Sequence, residues 1–218
     1  MTIYSATRNM NRGVFISLDG VDGAGKSTQC TRLAEWLRSQ SRQVTLCRDP
    51  GGTAVGDGIR QLLLATEFDR TPWCEAFLFM ASRAQLVAEV IRPALARDEI
   101  VICDRFLLAN VAYQGHAGGI PPEHIWEVGR YATTGVLPDL TLVLDVAPEV
   151  AGGRKKGPGD QMEKRGAAFQ TQVRAGFLKE AAKDQLKFKV IDAGQPVEQV
   201  QESIRREVLR VVGECKGA

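Results

Sequence analysis

Short apolar runs alternate along the chain with longer stretches in which apolar residues recur at helical spacing. The short runs consist largely of Val, Ile and Leu, as do strands that are buried on both faces of a parallel sheet. Helical connections between such strands are typical of β-α-β units. The pattern therefore predicts an α/β fold of three layers, α/β/α, with a five-stranded parallel sheet. The predicted strands lie at 14–18, 44–46, 100–103, 140–146 and 188–191, and the predicted helices near 26–40, 55–65, 73–97, 121–134, 166–184 and 196–213.

The predicted helix at 73–97 has the most regular pattern. Apolar residues at spacings of three and four predict one seam along it. Pro93 lies in its last turn and is expected to bend or end the helix. A second apolar row suggests that the helix is covered on two sides, by the core alone or also by a partner subunit. The seam comprises Phe77, Ala81, Ala84, Ala88, Ile91 and Leu95, and the second row Phe79, Leu86 and Val90.

The sequence GVDGAGKST follows the first predicted strand and opens the first predicted helix. Its Gly20-x-x-x-x-Gly25-Lys26-Ser27 spacing fits the phosphate-binding loop (P-loop), in which glycines let successive backbone N–H groups converge on phosphate oxygens. The lysine of such a loop reaches the β- and γ-phosphates, and the serine hydroxyl holds Mg²⁺. The motif predicts a fold of the P-loop NTPase type. The expected contacts to nucleotide phosphates come from Gly20, Asp22, Gly23, Ala24, Gly25, Lys26, Ser27 and Thr28.

The charge balance argues against binding of nucleic acid. The chain has 28 Lys and Arg against 26 Asp and Glu, so its net charge is only +2 and no broad basic surface is expected. Five scattered cysteines without a C-x-x-C pair indicate reduced thiols in a cytoplasmic protein. No signal segment or membrane span is predicted. We expect a disordered leader over 1–12 and a single domain over 13–218.

Three further stretches suggest how the nucleotide is used. CDRF at 103–106 ends a predicted strand, where its acid suits Mg²⁺ and its arginine suits a transferring phosphate, although a surface ion pair has the same pattern. RDPGGT at 48–53 places an arginine where α/β sheets bind ligands, although a capped loop without a ligand can have the same sequence. In FLFMASRAQ at 77–85, Phe79 and Arg83 lie one turn apart and suit a flat base with carbonyl groups, unless Phe79 belongs to the core.

Together these stretches resemble the thymidylate kinases of the P-loop nucleoside monophosphate kinase group. The resemblance implies transfer of the γ-phosphoryl group of ATP to thymidine 5′-monophosphate (dTMP), with Mg²⁺ bound alongside ATP. It also implies a homodimer. It extends from about residue 14 to about residue 211 and rests on SLDGVDGAGKSTQ, RDPGGT, FLFMASRAQ, RPAL, VICDRFLLANVAYQG, PDLTLVLDV and VIDAGQP.

The resemblance also assigns roles to single residues. It places the turn DAGQP beside adenine and lets Tyr113 crowd the 2′ position of the sugar, which favours deoxyribose. The implied catalytic residues are Lys26, Arg105, Asp22 and Arg154, and the implied metal-binding residues are Ser27 and Asp104. The implied dTMP-binding residues are Asp22, Arg48, Phe79, Arg83, Arg105, Asn110, Tyr113 and Gln114.

The segment GGRKKGPGDQMEKRG at about 152–166 is basic, rich in glycine and without apolar periodicity, which predicts a mobile surface loop. The resemblance makes this loop a lid. The phosphate loop has no arginine among its variable positions, so a basic lid residue is expected to close over the transferring phosphoryl group. The candidates are Arg154, Lys156, Lys164 and Arg165, and a solvated run of charge is the alternative for each.

Two other functions are compatible with the sequence. One is a related kinase that acts on a deoxynucleoside or on another nucleoside monophosphate. The other is a nucleotide-dependent regulatory switch that hydrolyses slowly, which requires a residue that positions water and a partner surface. The kinase needs both a donor and dTMP for turnover, whereas dTMP should not alter turnover by the switch.

Overall fold

Five parallel strands form one sheet in the order β2-β3-β1-β4-β5. The computed structural model describes residues 13–65, 69–154 and 165–213. The predicted leader over 1–12 lies outside the described residues, as do residues 155–164 of the predicted lid. The predicted five-stranded parallel sheet is confirmed, with each strand close to its expected position. The strands are β1 (Val14–Asp19), β2 (Val44–Arg48), β3 (Ile100–Asp104), β4 (Leu140–Asp145) and β5 (Phe188–Asp192).

Helices flank the sheet. The connection from β1 to β2 runs along the sheet in the opposite direction from the later connections, so right-handed crossovers place its helix on the opposite face from theirs. None of the helices in the described ranges is both long and apolar enough to cross a membrane. The helices are α1 (Lys26–Ser39), α2 (Ala54–Leu64), α3 (Pro72–Leu86), α4 (Arg92–Ala96), α5 (Leu107–Asn110), α6 (Pro122–Ala132), α7 (Pro148–Gly153), α8 (Gly166–Ala181) and α9 (Val197–Val212), and the π-helical segments are Val87–Ile91 and Val111–His116.

The strand register brings three predicted motifs to one edge of the sheet. Asp104 at the end of β3 is paired with Leu18 in β1 and with Arg48 in β2. Because all five strands are parallel, the loops after their carboxyl ends meet at the same edge. The phosphate loop after β1, RDPGGT after β2 and CDRF after β3 therefore surround one region.

The predicted seam of the 73–97 helix is wrong in its first half. Phe77, Ala81 and Ala88 are exposed, whereas Ile91 and Leu95 are buried. The π-helical turn at Val87–Ile91 contains more residues per turn than an α-helix. The helix face therefore rotates at this turn, and a seam drawn at constant spacing passes from solvent into the core.

The core is instead contacted by a row that starts one residue earlier, with Ala76 and Met80, and continues to Leu86. The helix does not end at Pro93, since α4 continues to Ala96. Proline cannot donate the backbone hydrogen bond to the preceding turn, and the π-helical turn directly before it already changes that bonding pattern.

Glu180 joins its own helix, α8, to α6 and to the π-helical segment Val111–His116. Its buried carboxylate lies 2.7 Å from Nε2 of His116 and accepts hydrogen bonds from Trp126 at 3.1 Å and from Lys183 at 2.7 Å. Burial alone would raise the pKa of Glu180, but the hydrogen bonds from Lys183, His116 and Trp126 hold that pKa below its ordinary value of 4.5. An ionised carboxylate therefore stabilises the contact of α8 with α6 and with the π-helical segment Val111–His116.

We expect Glu180→Gln to lower the free energy of unfolding by about 1–3 kcal/mol near neutral pH. Trp126 and Lys183 can only donate, so the variant amide must turn its own NH₂ group toward one of them. The folded-state pKa of Glu180 lies below the unfolded value, so the stabilisation is present above pH 4.5 and is lost as the pH falls through the folded-state pKa.

Denaturant titration of the parent and the variant between about pH 7 and about pH 3 measures this contribution. The difference between the two chains should shrink toward the acid end. A difference that stays constant over the whole range would contradict the assignment.

Candidate active site

The phosphate loop connects β1 to α1, as predicted. Gly20 and Gly23 have φ angles of 140° and 83°, which side chains disfavour. A Cβ atom on Gly20 would lie 2.5 Å from the carbonyl oxygen of Leu144, and one on Gly23 would lie 2.2 Å from that of Ala151. These two positions require glycine because the loop passes close to the backbone of β4 and α7.

The loop forms one wall of a cavity of about 790 Å³. Another wall is the turn after β5, which contains the predicted adenine-binding sequence DAGQP. This volume is within the range of small-molecule sites. All the predicted phosphate-binding residues except Gly20 line the cavity, namely Asp22, Gly23, Ala24, Gly25, Lys26, Ser27 and Thr28.

Lys26 supplies a buried cation to this cavity. Its ammonium group donates to the carbonyl oxygen of Val21 at 2.8 Å. Burial and the charge of Arg105 lower the pKa of Lys26 to about 8, while Asp22 and Asp104 oppose the shift. A phosphate group in the cavity would favour the charged form, because it brings negative charge to a poorly solvated ammonium.

Ser27 and Asp104 bring two oxygen groups together in the same cavity. The hydroxyl of Ser27 donates to Oδ2 of Asp104 at 2.5 Å. Mg²⁺ prefers oxygen ligands and usually takes one or two from the protein, with the others from water and phosphate. The two residues predicted to bind the metal therefore have the chemistry and the proximity that Mg²⁺ requires.

Arg105 adopts a positive φ of 69°, which costs a residue with a side chain about 1–2 kcal/mol. Its backbone N–H donates to the carbonyl of Leu18 at 2.9 Å. The buried carboxylate of Asp19 accepts the next N–H, that of Phe106, at 3.3 Å. Hydrogen bonds on both sides thus hold the strained residue, which directs its side chain toward the phosphate loop.

Arg105 and Asp22 line both this cavity and a second one beside it. The Arg105 guanidinium donates to the Asp22 carboxylate, which also accepts the hydroxyl of Tyr113 at 3.1 Å. Burial opposes the charge on Arg105, but Tyr113 and Asp22 raise its pKa above the ordinary arginine value. A permanently charged arginine therefore stands where the two cavities meet.

The second cavity has a volume of about 130 Å³. Phe79, Phe106 and Leu63 contribute apolar walls, and polar side chains complete it. Such a combination suits a flat ring with a few polar groups. Of the predicted dTMP-binding residues, Asp22, Phe79, Arg83, Arg105, Asn110, Tyr113 and Gln114 line the second cavity, whereas Arg48 lines the first.

Arg83 is almost fully buried in the wall of the second cavity. Its Nε donates to Asp49 at 2.6 Å, and its Nη2 donates to the side-chain oxygen of Asn110. Burial raises the pKa of Asp49, and the charge of Arg83 opposes that shift. A guanidinium held on two sides is a fixed donor for an acceptor such as a base carbonyl.

Arg48 and Arg154 contact groups other than the phosphates they were predicted to bind. Arg48 is exposed and lies 3.4 Å from Asp57. Arg154 donates to the carbonyl of Ala193 at 2.9 Å, in the turn expected to border adenine. Both arginines line the first cavity, so their roles stay predictions.

Arg60 on α2 lies at the site but is not among the residues that the sequence predicts there. It lines both cavities, and its guanidinium donates to the carbonyl of Pro50 at 3.1 Å. The signal in the sequence is weak, since Arg60 is a single cation in the helix after RDPGGT. Its proximity to Arg105 arises only when β2 and β3 pair.

Two of the four lid candidates, Lys156 and Lys164, lie outside the described residues. Arg165 is described, and its guanidinium donates to the buried carboxylate of Glu75 at 2.8 Å. This ion pair directs Arg165 toward α3, where Glu75 lies.

Known proteins share this arrangement of motifs. The family model described as Thymidylate kinase matches residues 18–204. The chain belongs to the thymidylate kinase family. A thymidylate kinase of Bifidobacterium longum (strain DJO10A) is 46% identical over 200 residues, which are 90% of this chain and 97% of that protein. A thymidylate kinase of Rhodopirellula baltica is 45% identical over 192 residues, 88% of this chain and 78% of that protein.

A solved structure of a thymidylate kinase family member has the same fold. The crystal structure of thymidylate kinase from Ehrlichia chaffeensis superposes with a TM-score of 0.73 at 31% identity, covering 90% of this chain and 98% of that one. The predicted family and the predicted P-loop NTPase type of fold are therefore confirmed. Membership in a family of kinases does not favour the regulatory switch or a kinase with a different acceptor.

We expect the use of ATP to weaken in alkaline solution. Lys26 is charged below its pKa of about 8 and neutral above it, and a neutral amine no longer attracts phosphate oxygens. The kcat/KM for ATP, which reports groups of the free enzyme, should fall above about pH 8 by up to about tenfold per pH unit.

Lys26→Arg is the control, since its guanidinium stays charged in this range. Its residual activity should lack the fall near pH 8 in a pH profile of kcat/KM. The same fall in both proteins would assign it to another group.

Proposed function

We propose that the two cavities divide the phosphorylation of dTMP, the reaction after which the family is named, between donor and acceptor. ATP occupies the larger cavity, with its phosphates on the loop and its adenine beside the turn after β5. The thymine nucleotide occupies the smaller cavity, with its phosphate at the junction. The observation that supports this most directly is that Asp22 and Arg105 line both cavities.

The smaller cavity suits a thymine deoxynucleotide. Phe79 offers a ring face on which the base stacks, and Arg83 offers fixed N–H donors to a base carbonyl. Asn110 faces the edge of the base, with Gln114 next to it. Tyr113 is held by Asp22 and fills the space that a 2′-hydroxyl would need.

Catalysis rests on alignment and on neutralised charge. Lys26 and the amides of the loop bind the donor phosphates, Arg105 stands between donor and acceptor, and Arg48 and Arg60 meet the acceptor phosphate. The acceptor is already an anion at neutral pH, so this transfer does not depend on a general base. Arg154 supplies a further cation on the donor side.

Ser27 and Asp104 hold Mg²⁺ in this proposal, Ser27 through its hydroxyl and Asp104 directly or through bound water. When bound, the ion neutralises charge on the donor phosphates. The protein works in the cytoplasm in this proposal. Its scattered cysteines support that location, because they suit a reducing compartment.

The functional unit is a homodimer formed through α3 and the π-helical turn that follows it. Four exposed apolar residues recur at helical spacing and form what we call the apolar stripe. They are Trp73, Phe77, Ala81 and Ala88. Trp73 and Phe77 stack with ring centres 5.4 Å apart, and 53% of Phe77 is exposed. Contiguous apolar surface of this kind marks an interaction site. A second copy of the chain offers the same stripe, and its small alanines let two helices approach about a two-fold axis.

We expect ADP release in a coupled assay to require dTMP, ATP and Mg²⁺ together, and to stop when EDTA removes the metal. Arg60→Met should raise the KM for dTMP by about tenfold or more through loss of a charged phosphate contact, with the KM for ATP changed by less than about twofold. Arg92→Met, on the distant helix α4, is the matched control and should leave both constants unchanged.

Equal turnover with every deoxynucleoside monophosphate, or ADP release that ignores dTMP, would exclude the proposed function. An unchanged KM for dTMP in Arg60→Met would remove only the role of Arg60.

We expect Phe77→Glu to convert a dimer of 23.8-kDa chains into monomers, because it buries a charge in the centre of an apolar stripe. Sedimentation equilibrium measures the mass. Leu186→Glu is the control, because it changes an exposed apolar residue just before β5, and this variant should remain a dimer. A parent chain that sediments as a monomer at tens of micromolar would contradict the proposal.

A further inference from the structure

A chain of hydrogen bonds leads from Arg83 out of the second cavity to a buried carboxylate. Arg83 donates to Oδ1 of Asn110, and Nδ2 of Asn110 donates to Oε1 of Gln114 at 2.7 Å. Nε2 of Gln114 then donates to Oε1 of Glu75 at 2.8 Å. The first three side chains line the cavity, whereas Glu75 lies behind them on α3.

All three hydrogen bonds point the same way, and the two ends of the chain determine that direction. A guanidinium can only donate and an ionised carboxylate can only accept, whereas each amide can turn by half a rotation and exchange its donor for its acceptor. Arg83 at one end and Glu75 at the other therefore select one orientation for both Asn110 and Gln114.

Both carboxylate oxygens of Glu75 face N–H donors. Its side chain is only 3% exposed, and its second oxygen accepts the guanidinium of Arg165 at 2.8 Å. Glu75 is therefore placed as an acceptor for Gln114.

We propose that Glu75 is a positioning residue for base selection, which sets the orientation of the Asn110 amide through Gln114 without touching the substrate. This proposal rests on the proposed function, in which the base of the acceptor lies beside Arg83 and Asn110. It goes beyond that function because it names a residue outside the cavity that decides which pyrimidine is accepted.

The selected orientation matches thymine and rejects cytosine. Thymine presents a carbonyl acceptor at O4 and a donor at N3, whereas cytosine presents an amino donor at N4 and an acceptor at N3. Arg83 donates toward the first position, and Oδ1 of Asn110, which has a second lone pair, accepts at the second. Cytosine would oppose donor to donor and acceptor to acceptor at these positions.

Glu75→Gln removes the carboxylate, which is the end of the hydrogen-bond chain that can only accept. Its NH₂ group can donate to Gln114, which then turns and reverses the amide of Asn110. Arg83 still opposes that reversal, so the loss of selection should be partial. We expect the ratio of kcat/KM for dTMP to that for dCMP to fall by about tenfold or more, through a raised KM for dTMP with little change in kcat.

Two readouts separate positioning from general damage. Uracil has the same polar edge as thymine, so the ratio of kcat/KM for dTMP to that for dUMP should stay within about twofold of the parent. The KM for ATP should also stay unchanged. Glu89→Gln is the matched control, since it makes the same change at an exposed site that faces Gln85.

The exchange variant Glu75→Gln with Gln114→Glu provides the rescue. It moves the carboxylate next to Asn110, where it again accepts from Nδ2, so the preference for dTMP over dCMP should return toward the parent value. If Glu75→Gln does not fold, Gln114→Met serves instead. It leaves the Glu75–Arg165 ion pair in place but interrupts the chain of hydrogen bonds, and it should show the same loss of preference for dTMP over dCMP.

The assay distinguishes failure of this proposal from failure of the proposed function. A parent chain that does not phosphorylate dTMP would overturn both. A parent with strong preference for dTMP, combined with a Glu75→Gln or Gln114→Met variant that keeps the parent ratio of dTMP to dCMP, would overturn only the role of Glu75. Equal losses for dTMP, dUMP and ATP would overturn it as well, since they indicate a structural defect.

Discussion

The structure depends on the parallel pairing of β1 with β3. This pairing places Asp104 beside Leu18, so the phosphate loop after β1 and the arginine that follows β3 leave the sheet at the same edge. Arg105 can then reach the carbonyl of Gly20 at 2.9 Å and the carboxylate of Asp22. The two cavities share a wall because two strands far apart in sequence are adjacent in the sheet.

Charged groups taken out of water give this site its shape. Asp19 and Asp49 are buried carboxylates; Asp49 contacts Arg83, and Asp19 holds the backbone beside Arg105. Taking such charges from water is costly, and each must be compensated by partners in a defined geometry. The compensation therefore restricts the arginines to few orientations, and a restricted donor can distinguish one base edge from another.

The two π-helical segments contribute in different ways. Val87–Ile91 rotates the helix face, so that residues up to Ala88 can present an apolar stripe to solvent while Ile91 and Leu95 enter the core. Val111–His116 carries Tyr113 and Gln114 into the second cavity. Wide turns of this kind change the direction of side chains without ending the helix, and they occur often at functional sites.

The sequence by itself determined the fold class, the strand positions, the phosphate loop and, through several motifs in a fixed order, the family. These features are local, since apolar periodicity and the glycine–lysine spacing are read over a few neighbouring residues. Most residues that line the second cavity, such as Phe79, Arg83 and Asn110, were also among those predicted, because their motifs resemble those of the family.

Only the tertiary structure decided which faces and partners these residues have. The rotated face of α3, the position of Arg60 at the junction and the link from Glu75 to Asn110 all depend on how separate elements approach one another. A single added residue in a helical turn shifts a face by about 100°, and pairing between distant strands and helices leaves no trace in local spacing. For that reason the chemistry of the site could be read along the chain, whereas its geometry arose only when the sheet and its helices came together.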